Sequence, residues 1–427
     1  MVRRYALLRV GKNALALLFG RIGVLLLGLW LNGQLTRTVG VAGLGRYLLA
    51  LTVEGITLAV ANAGLNIYAT REFSRVKDDA AASLLGVVLI LKVLLALTGI
   101  FMINGLVAPW FFPGPRRLVI AWASLGLLPQ AINGGLEALL KGRQRMELSS
   151  MIELTARFAA VLGGLAWLAQ GGDERHVLVC YVVGHLLATV ALGGVLVRWG
   201  VVPRWRGWRK RAAKVLGEAI PFAGVDLVAI LYRRMDLLLL SYWHGDGVVG
   251  IYGAAYRLWE TLGLLPSSFL DALFPELARR TVTPTGRMQL RRLYRRGVPL
   301  LLLLILVVGG TGFWLAPQLM VLLYGGVAGV DVATHLFRTL ILALPFTYLY
   351  LFNGHLLYAT GEQGRVLVTM AAVTVGNGLL NALLIPRWSY WGAAIVALAA
   401  EAALLLALST LARRWVFSRI AVEGAAG

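Results

Sequence analysis

Cysteine occurs once in 427 residues, acidic residues number 20 against 41 basic ones, and only 14% of positions are charged. Each scarcity removes a class of protein. The lone Cys180 excludes an intramolecular disulfide framework and a thiolate metal cluster, and it reads as a small packing residue. The five histidines are scattered: His185, His244, His335 and His355 have no metal-ligand spacing. His176 stands beside Asp173 and Glu174 in a short loop with no third member, and reads as a solvated turn. Soluble domains carry about 25% charged residues, so the shortage of charge places this chain in the membrane class. Hydrophobic residues make up 59% and mean hydropathy is +0.76.

What is present is a series of apolar runs. About 20 apolar residues cross the ~30 Å of bilayer hydrocarbon. Twelve such spans are predicted, at 13–35, 40–64, 83–106, 117–140, 148–170, 177–198, 215–242, 248–274, 297–324, 333–358, 365–385 and 391–414. The first follows Arg3, Arg4, Arg9 and Lys12, but Arg21 interrupts it and no small-residue cleavage site follows. It therefore reads as a span and not as a signal peptide. The 50 glycines suit close helix packing in lipid.

A net charge of +21 would suit nucleic acid, but its placement argues otherwise. The basic residues sit in alternate loops rather than on a stripe interleaved with aromatic residues. Taking the N-terminus as inside, the cytoplasmic segments hold 28 Lys and Arg and the outer ones 5. The positive-inside rule then predicts both termini in the cytoplasm, in a multi-pass protein of the cytoplasmic membrane. Trp199–Lys214 mixes three tryptophans with six basic residues. It reads as a segment lying on anionic lipid, or as a docking site for a synthesis partner. Arg279–Arg296 reads similarly.

An internal repeat joins the halves. Gly45-Arg-Tyr47-Leu-Leu-Ala50 aligns with Gly250-Ile-Tyr252-Gly-Ala-Ala255 at an offset of 205, which also places Arg75 on Arg280. Six spans separate the copies, so they share an orientation. The expected fold is an all-α polytopic membrane protein, with two six-helix bundles around a central cavity. The halves are expected at 1–205 and 206–427.

The chain is organised around 221–280, where two apolar runs meet at a short polar turn and carry Asp226, Arg233, Arg234, Asp236, Arg257 and Glu260. Ionisable groups at membrane depth are costly and mark a pathway for a substrate or ion. Arg21, Lys92, Arg157, Arg233 and Arg257 lie inside spans, with Arg46 and Arg338 nearer the outer ends, where they snorkel or face the cavity. Arg157 follows Glu153 by four residues and is expected to pair with it. Arg233 with Asp236, and Arg257 with Glu260, stand three apart. Arg21 and Lys92 have no opposite charge within a turn and need a partner from elsewhere. A cavity gathering such cations suits phosphate or pyrophosphate, which guanidinium groups bind bidentately. Asp226 and Asp236, with Asn377 and Asn381 one turn apart on another span, suit a coupled proton or sodium ion, or else helix–helix hydrogen bonds. Trp259, Asn62 and Gln130 are candidates for sugar recognition. Gly20, Gly23, Gly28 and Pro266 are expected hinges. No metal or catalytic constellation is found. The outer loops lack the acids and bases that a membrane polymerase or ligase would use.

These residues resemble a known family. Pro221-Phe222, Tyr232-Arg-Arg-Met-Asp236 with Leu240-Ser241, Val249-Gly-Ile-Tyr252, Ala254-Ala255, Arg257-Leu258, Glu260, Pro266 and Phe274-Pro-Glu-Leu277 follow in order. So do Asn377, Asn381, Ile385-Pro386 and Trp391-Gly-Ala-Ala394. Gly45-Arg-Tyr47, Gly64-Leu65 and Arg71-Glu72 complete the pattern in the first half. The pattern is similar to the oligosaccharide flippases (the Wzx type) of the multidrug/oligosaccharidyl-lipid/polysaccharide exporter superfamily. The resemblance implies alternating-access translocation of an undecaprenyl-diphosphate-linked oligosaccharide, alongside a polymerase and other assembly proteins. It implies a non-enzymatic transporter without cofactor, driven by Na+ or H+ as an antiporter. It further implies Arg21, Arg46 and Arg257 as diphosphate contacts, and the intramembrane charges Lys92, Arg233 and Glu260 are expected beside them at the substrate. Asp236, Asn377 and Asn381 match the relatives' sodium site, Asn381 standing where an aspartate occurs. A multidrug exporter or a lipid II flippase is the alternative within the superfamily. Lipid II flippases usually have fourteen helices, so twelve favours an oligosaccharide.

Overall fold

The computed structural model describes residues 2–76, 78–280 and 284–417. Side chains are described for 23–76, 79–267, 269–270, 273–274, 277, 289–290, 292–414 and 416. Among these residues every regular element is helical, and the helices form twelve rods.

Val2–Asn62 contains α1 and α2, separated by a break at Gly40; α2 resumes beyond a bend at Ala63–Gly64 as Leu65–Phe73. Asp78–Met102 runs through a wider turn, Ile103–Val107, into Ala108–Phe111 as α3. Pro115–Ser124 and Leu127–Gly142 are the two limbs of α4. Met146–Ala169 is α5, Glu174–Arg198 is α6 and Trp208–His244 is α7. Asp246–Leu262 and Leu264–Arg280 make α8, and Pro284–Tyr324 is α9. Val330–Ile341 and Leu344–Ala359, bent by 44°, make α10. Gln363–Ala412 holds α11 and α12, parted at Ser389.

These rods match the twelve predicted spans one to one, but several outrun them. The 41 residues of α9 extend about 60 Å at 1.5 Å per residue, roughly twice the hydrocarbon thickness. Much of the expected inner segment Arg279–Arg296 is therefore helix. Among the described residues eight helices pass as bilayer-crossing on length and apolarity, Gly23–Asn62 and Gln363–Ala412 among them, which are interrupted at Gly40 and Ser389. The bent pair of α10 adds another. The rod outside this set is α8, whose two limbs are 17 residues each and which carries Arg257 and Glu260.

The chain folds as two compact units, Met1–Leu238 and Leu239–Gly427. The division falls inside α7 rather than ahead of it, because the N-terminal half of α7 packs into the first unit. Val215 and Ala219 belong to one buried cluster with Leu65, Tyr68, Phe73 and Leu85. The approach is close: a Cβ on Gly64 would lie 2.2 Å from the Ala219 carbonyl oxygen. The Arg71 guanidinium lies 5.5 Å from the Phe222 ring centroid and 5.7 Å from that of Tyr68. The preceding segment is also tied down. Arg204 donates its backbone N–H to Ala82 (3.0 Å) and its guanidinium to Asp79 (2.8 Å), and Arg211 reaches Ser83 at 2.5 Å. In lipid such contacts hold by dispersion and hydrogen bonding, since burial from hydrocarbon gains little. A second cluster, with Leu277, Leu290, Leu356, Leu408 and Ala412, organises the second unit.

The repeat reappears as backbone geometry. Gly40, between α1 and α2, has φ 75° and ψ 176°; Gly245, between α7 and α8, has φ 85° and ψ −177°. They stand 205 residues apart, the offset of the sequence repeat. This corner of conformational space is essentially reserved for glycine, so both copies keep one.

The expected hinges fall differently. Gly20, Gly23 and Gly28 lie within unbroken helix. Near Pro266 the bend is at Gly263, three residues earlier. Proline has no N–H and crowds the carbonyl four residues back, so the helix gives way between that carbonyl and the ring.

Candidate functional site

Both units hold buried polar side chains in their interiors. In the first, three clusters stand among α2 to α7. Arg46 on α2 meets Glu174 at the start of α6, Nε to Oε1 at 2.6 Å, with Glu174 only 4% exposed in its side chain. Glu174 is therefore no part of a solvated turn. The turn itself is ordered: Asp173 caps α6 through the Arg175 N–H, and His176 stacks on Trp167 with centroids 4.8 Å apart. The cap and its neighbouring cations outweigh partial burial and hold the Asp173 carboxyl below the usual range.

Lys92 on α3 is wholly buried and donates to Asn62 Oδ1 at 2.6 Å. Asp226 on α7, half-buried, interacts electrostatically with it. Lys92 thus finds inside its own unit the partner that it lacks along its helix.

The third cluster centres on Glu54, a residue to which sequence reasoning gave no role. It sits mid-span on α2 and is 3% exposed. Gln130 Nε2 on α4 donates to its Oε1, and the Tyr181 hydroxyl on α6 to its Oε2 at 3.1 Å. Tyr181 packs edge-on against His185, centroids 4.6 Å apart. Arg157 on α5 is exposed and its charge acts on Glu54, Tyr181 and His185. Among the described residues the expected Glu153–Arg157 ion pair does not form.

In the second unit Arg257 and Glu260 pair along α8 as expected, Nη1 to Oε2 at 3.4 Å, both side chains 27% exposed. Next to them Tyr252, Tyr256 and Trp259 form an aromatic row. Trp259 is buried and its Nε1 has no partner among the described residues. Asn377 and Asn381 lie on one face of α11 and bond to each other, Nδ2 to Oδ1 at 2.5 Å. The buried Asn381 Oδ1 is left without a partner among the described residues. Glu401 on α12 is 4% exposed and takes the Thr347 hydroxyl at 2.6 Å. His244 bonds the Ile385 carbonyl at 2.7 Å, next to Pro386 and the Ser389 break.

The other anticipated residues are placed as follows. Arg233 is exposed on α7, and Asp236 is 8% exposed, with Oδ1 accepting the Leu237 N–H. Asp226 and Asp236 belong to the first unit, whereas Asn377 and Asn381 belong to the second. Asn62 accepts from Lys92, and Gln130 donates to Glu54. The Arg21 side chain lies outside the described residues. Arg338 donates to the Phe313 carbonyl and stacks on its ring, 5.1 Å to the centroid. Cys180 is half-buried next to Gly163, as a packing residue would be. Among the described residues no group of His, Cys, Asp and Glu could hold a metal.

A family model described as polysaccharide biosynthesis protein matches residues 10–280, and one described as lipid II flippase MurJ matches residues 155–422. No curated protein matches by sequence. Among solved structures, the lipid II flippase MurJ in an inward closed conformation aligns at 13% identity and TM-score 0.77, over 93% of this chain and 87% of that one. An inward-facing multidrug resistance MATE family transporter aligns at 14% and 0.73, over 96% and 99%. A MOP superfamily transporter from Pyrococcus furiosus aligns at 14% and 0.59, over 97% and 96%.

Proposed function

The chain belongs to the polysaccharide biosynthesis protein family, and on that premise we propose that it flips an undecaprenyl-diphosphate-linked oligosaccharide across the cytoplasmic membrane by alternating access. It is a multi-pass membrane transporter of lipid-linked cargo, and the families it matches are transporters rather than enzymes. The observation that carries the finer reading is the polysaccharide family match over 10–280, which contains the cations Arg157, Arg233 and Arg257. A diphosphate crossing at membrane depth needs such groups, and guanidinium supplies two parallel donors to phosphate oxygens.

In this reading Arg257, with Glu260 steadying it, is the headgroup contact of the second unit, and Arg233 and Arg21 are the headgroup contacts of the first. Arg46 and Lys92 act as structural cations of the first unit, given the partners they already hold. Asp226 and Asp236 in the first unit, and Asn377 and Asn381 in the second, are each candidates for a coupled Na+ or H+. The lipid tail stays in the bilayer, and assembly proteins such as a polymerase take the product.

The MurJ match over 155–422 supports a second reading, flipping of lipid II. Purified protein in liposomes decides between them. A fluorescent polyprenyl-diphosphate oligosaccharide and fluorescent lipid II are each followed with an impermeant quencher. Faster inward-to-outward transfer of the oligosaccharide lipid supports our reading. Transfer of lipid II alone replaces it with the second, and transfer of neither, in folded protein, removes both.

A further inference from the structure

Glu54 has the environment of a working titratable group, and the transport reading leaves it without a role. Both its oxygens are engaged by neutral donors: an amide N–H from α4 and a hydroxyl from α6. A Cβ on Gly126 would lie 2.5 Å from Oε1, so backbone closes in behind the carboxylate. The charged and titratable groups around it are Arg157 from α5, Tyr181 and His185 from α6, and Tyr47 on its own helix. On α3 the nearest counterpart, Lys92, is bonded to Asn62, two turns along α2.

These neighbours select the ligand. A sodium ion needs several lone-pair oxygens converging on it, whereas Gln130 and Tyr181 point hydrogens at Glu54. A proton needs only the carboxylate. When it binds, one oxygen becomes O–H, a donor and a much weaker acceptor than the carboxylate oxygen was. The bond that this oxygen accepts, from Gln130 or from Tyr181, then weakens or, at the Tyr181 hydroxyl, reverses.

The second unit carries a parallel arrangement. Gln130 stands four residues past Gly126, at the bend of α4, and bonds back to that residue's carbonyl at 3.2 Å. Thr347 stands four residues past Ala343, at the bend of α10, and bonds back at 3.1 Å. Each also reaches sideways to a buried carboxylate, Glu54 and Glu401 respectively. In each unit, then, a bent helix is tied to an acid at the same step past its bend.

We propose that Glu54 is a proton-binding site of the transport cycle. It takes up one proton from water on one side, releases it on the other, and holds α4 and α6 less tightly while protonated. The proposal rests on the transport reading for its purpose, but its test does not.

The full chain in liposomes is titrated by infrared difference spectroscopy, which detects the carbonyl stretch of a protonated carboxyl. The expected result is a component lost in Glu54→Gln and moved in frequency in Tyr181→Phe, which removes a hydrogen bond to that carboxyl. In the flipping assay an imposed proton gradient accelerates the native protein, and in Glu54→Gln the ratio of rates with and without the gradient falls to unity. A carboxyl spectrum unchanged by both substitutions overturns the site, whether or not flipping is seen. Native protein that flips no lipid but shows the component refutes the transport reading and keeps the proton site. If Glu54→Gln does not fold, Tyr181→Phe decides alone: an unmoved band refutes the assignment.

Discussion

The Tyr348 hydroxyl donates to the Leu262 carbonyl at 2.8 Å, and Leu262 is the residue whose usual helical donor has been removed by Pro266. The break in α8 is thus chemically complete: proline withdraws an N–H and a tyrosine from α10 replaces it. A buried carbonyl without a partner would cost about 1–3 kcal/mol. Tyr348→Phe should lower thermal stability in detergent by an amount of that order. In a Pro266→Ala background, where the N–H restored at that position can serve Leu262, the same change should cost about 1 kcal/mol less. Equal losses in both backgrounds would mean the two residues are not coupled.

The pair Arg46–Glu174 should behave as structure. Arg46→Ala strands a buried carboxylate, and its cost, about 2 kcal/mol or more for a charged group, should shrink when Glu174→Gln is added. Melting curves of the three variants measure this. If Arg46→Ala melts as the native protein does but no longer flips lipid, Arg46 is a cargo contact after all.

Arg257 should behave in the opposite way. A charge-assisted hydrogen bond contributes roughly 1.5–3 kcal/mol, so Arg257→Ala should slow flipping by about tenfold to a hundredfold. Arg257→Lys should recover only part of this, because an ammonium lacks the planar fork. Flipping rates at matched protein levels decide. Native rates in Arg257→Ala would end the cationic headgroup model.

Gly40→Ala and Gly245→Ala should be equally costly, at about 1–2 kcal/mol each, since both impose a side chain on the same left-handed, extended corner. Unequal losses in melting temperature would mean that the two turns only resemble one another. Gly64→Ala should cost more than either, because its Cβ meets backbone of α7 and not open space.

Orientation is open to direct test. With Cys180→Ser as the parent, a cysteine at Arg37 or Arg116 should react with an impermeant reagent added outside, and one at Arg292 should not. The reverse pattern would invert the topology read from the basic loops.

The twelve rods were legible because each is a long apolar run, and hydropathy alone locates such runs. The repeat was half legible. Its motif at Gly45–Ala50 and Gly250–Ala255 was visible, while Gly40 and Gly245, five residues upstream, were indistinguishable from loop glycines until their dihedral angles were known. Long-range partners were not legible. Glu174 read as solvated because Arg46 is 128 residues away, and Lys92 read as unpartnered because Asn62 carries no charge. Glu54 had a signal of its own, a single carboxylate deep in an apolar span with no cation a turn away. Attention to cations, which suited a phosphate cargo, passed over it. The repeat divides the sequence near residue 205, whereas the compact units divide after Leu238, because helices settle against whichever surface fits.

That settling has a consequence for severed chains. If the polypeptide were cut near residue 205 and its pieces made separately, the leading piece would display a bare slot along Leu65, Phe73 and Leu85, where Val215 and Ala219 now lie. Such a fragment would be sticky and short-lived, although it holds six complete spans. A cut after Leu238 would leave that slot filled, so the durable fragment is the one that respects contact rather than descent.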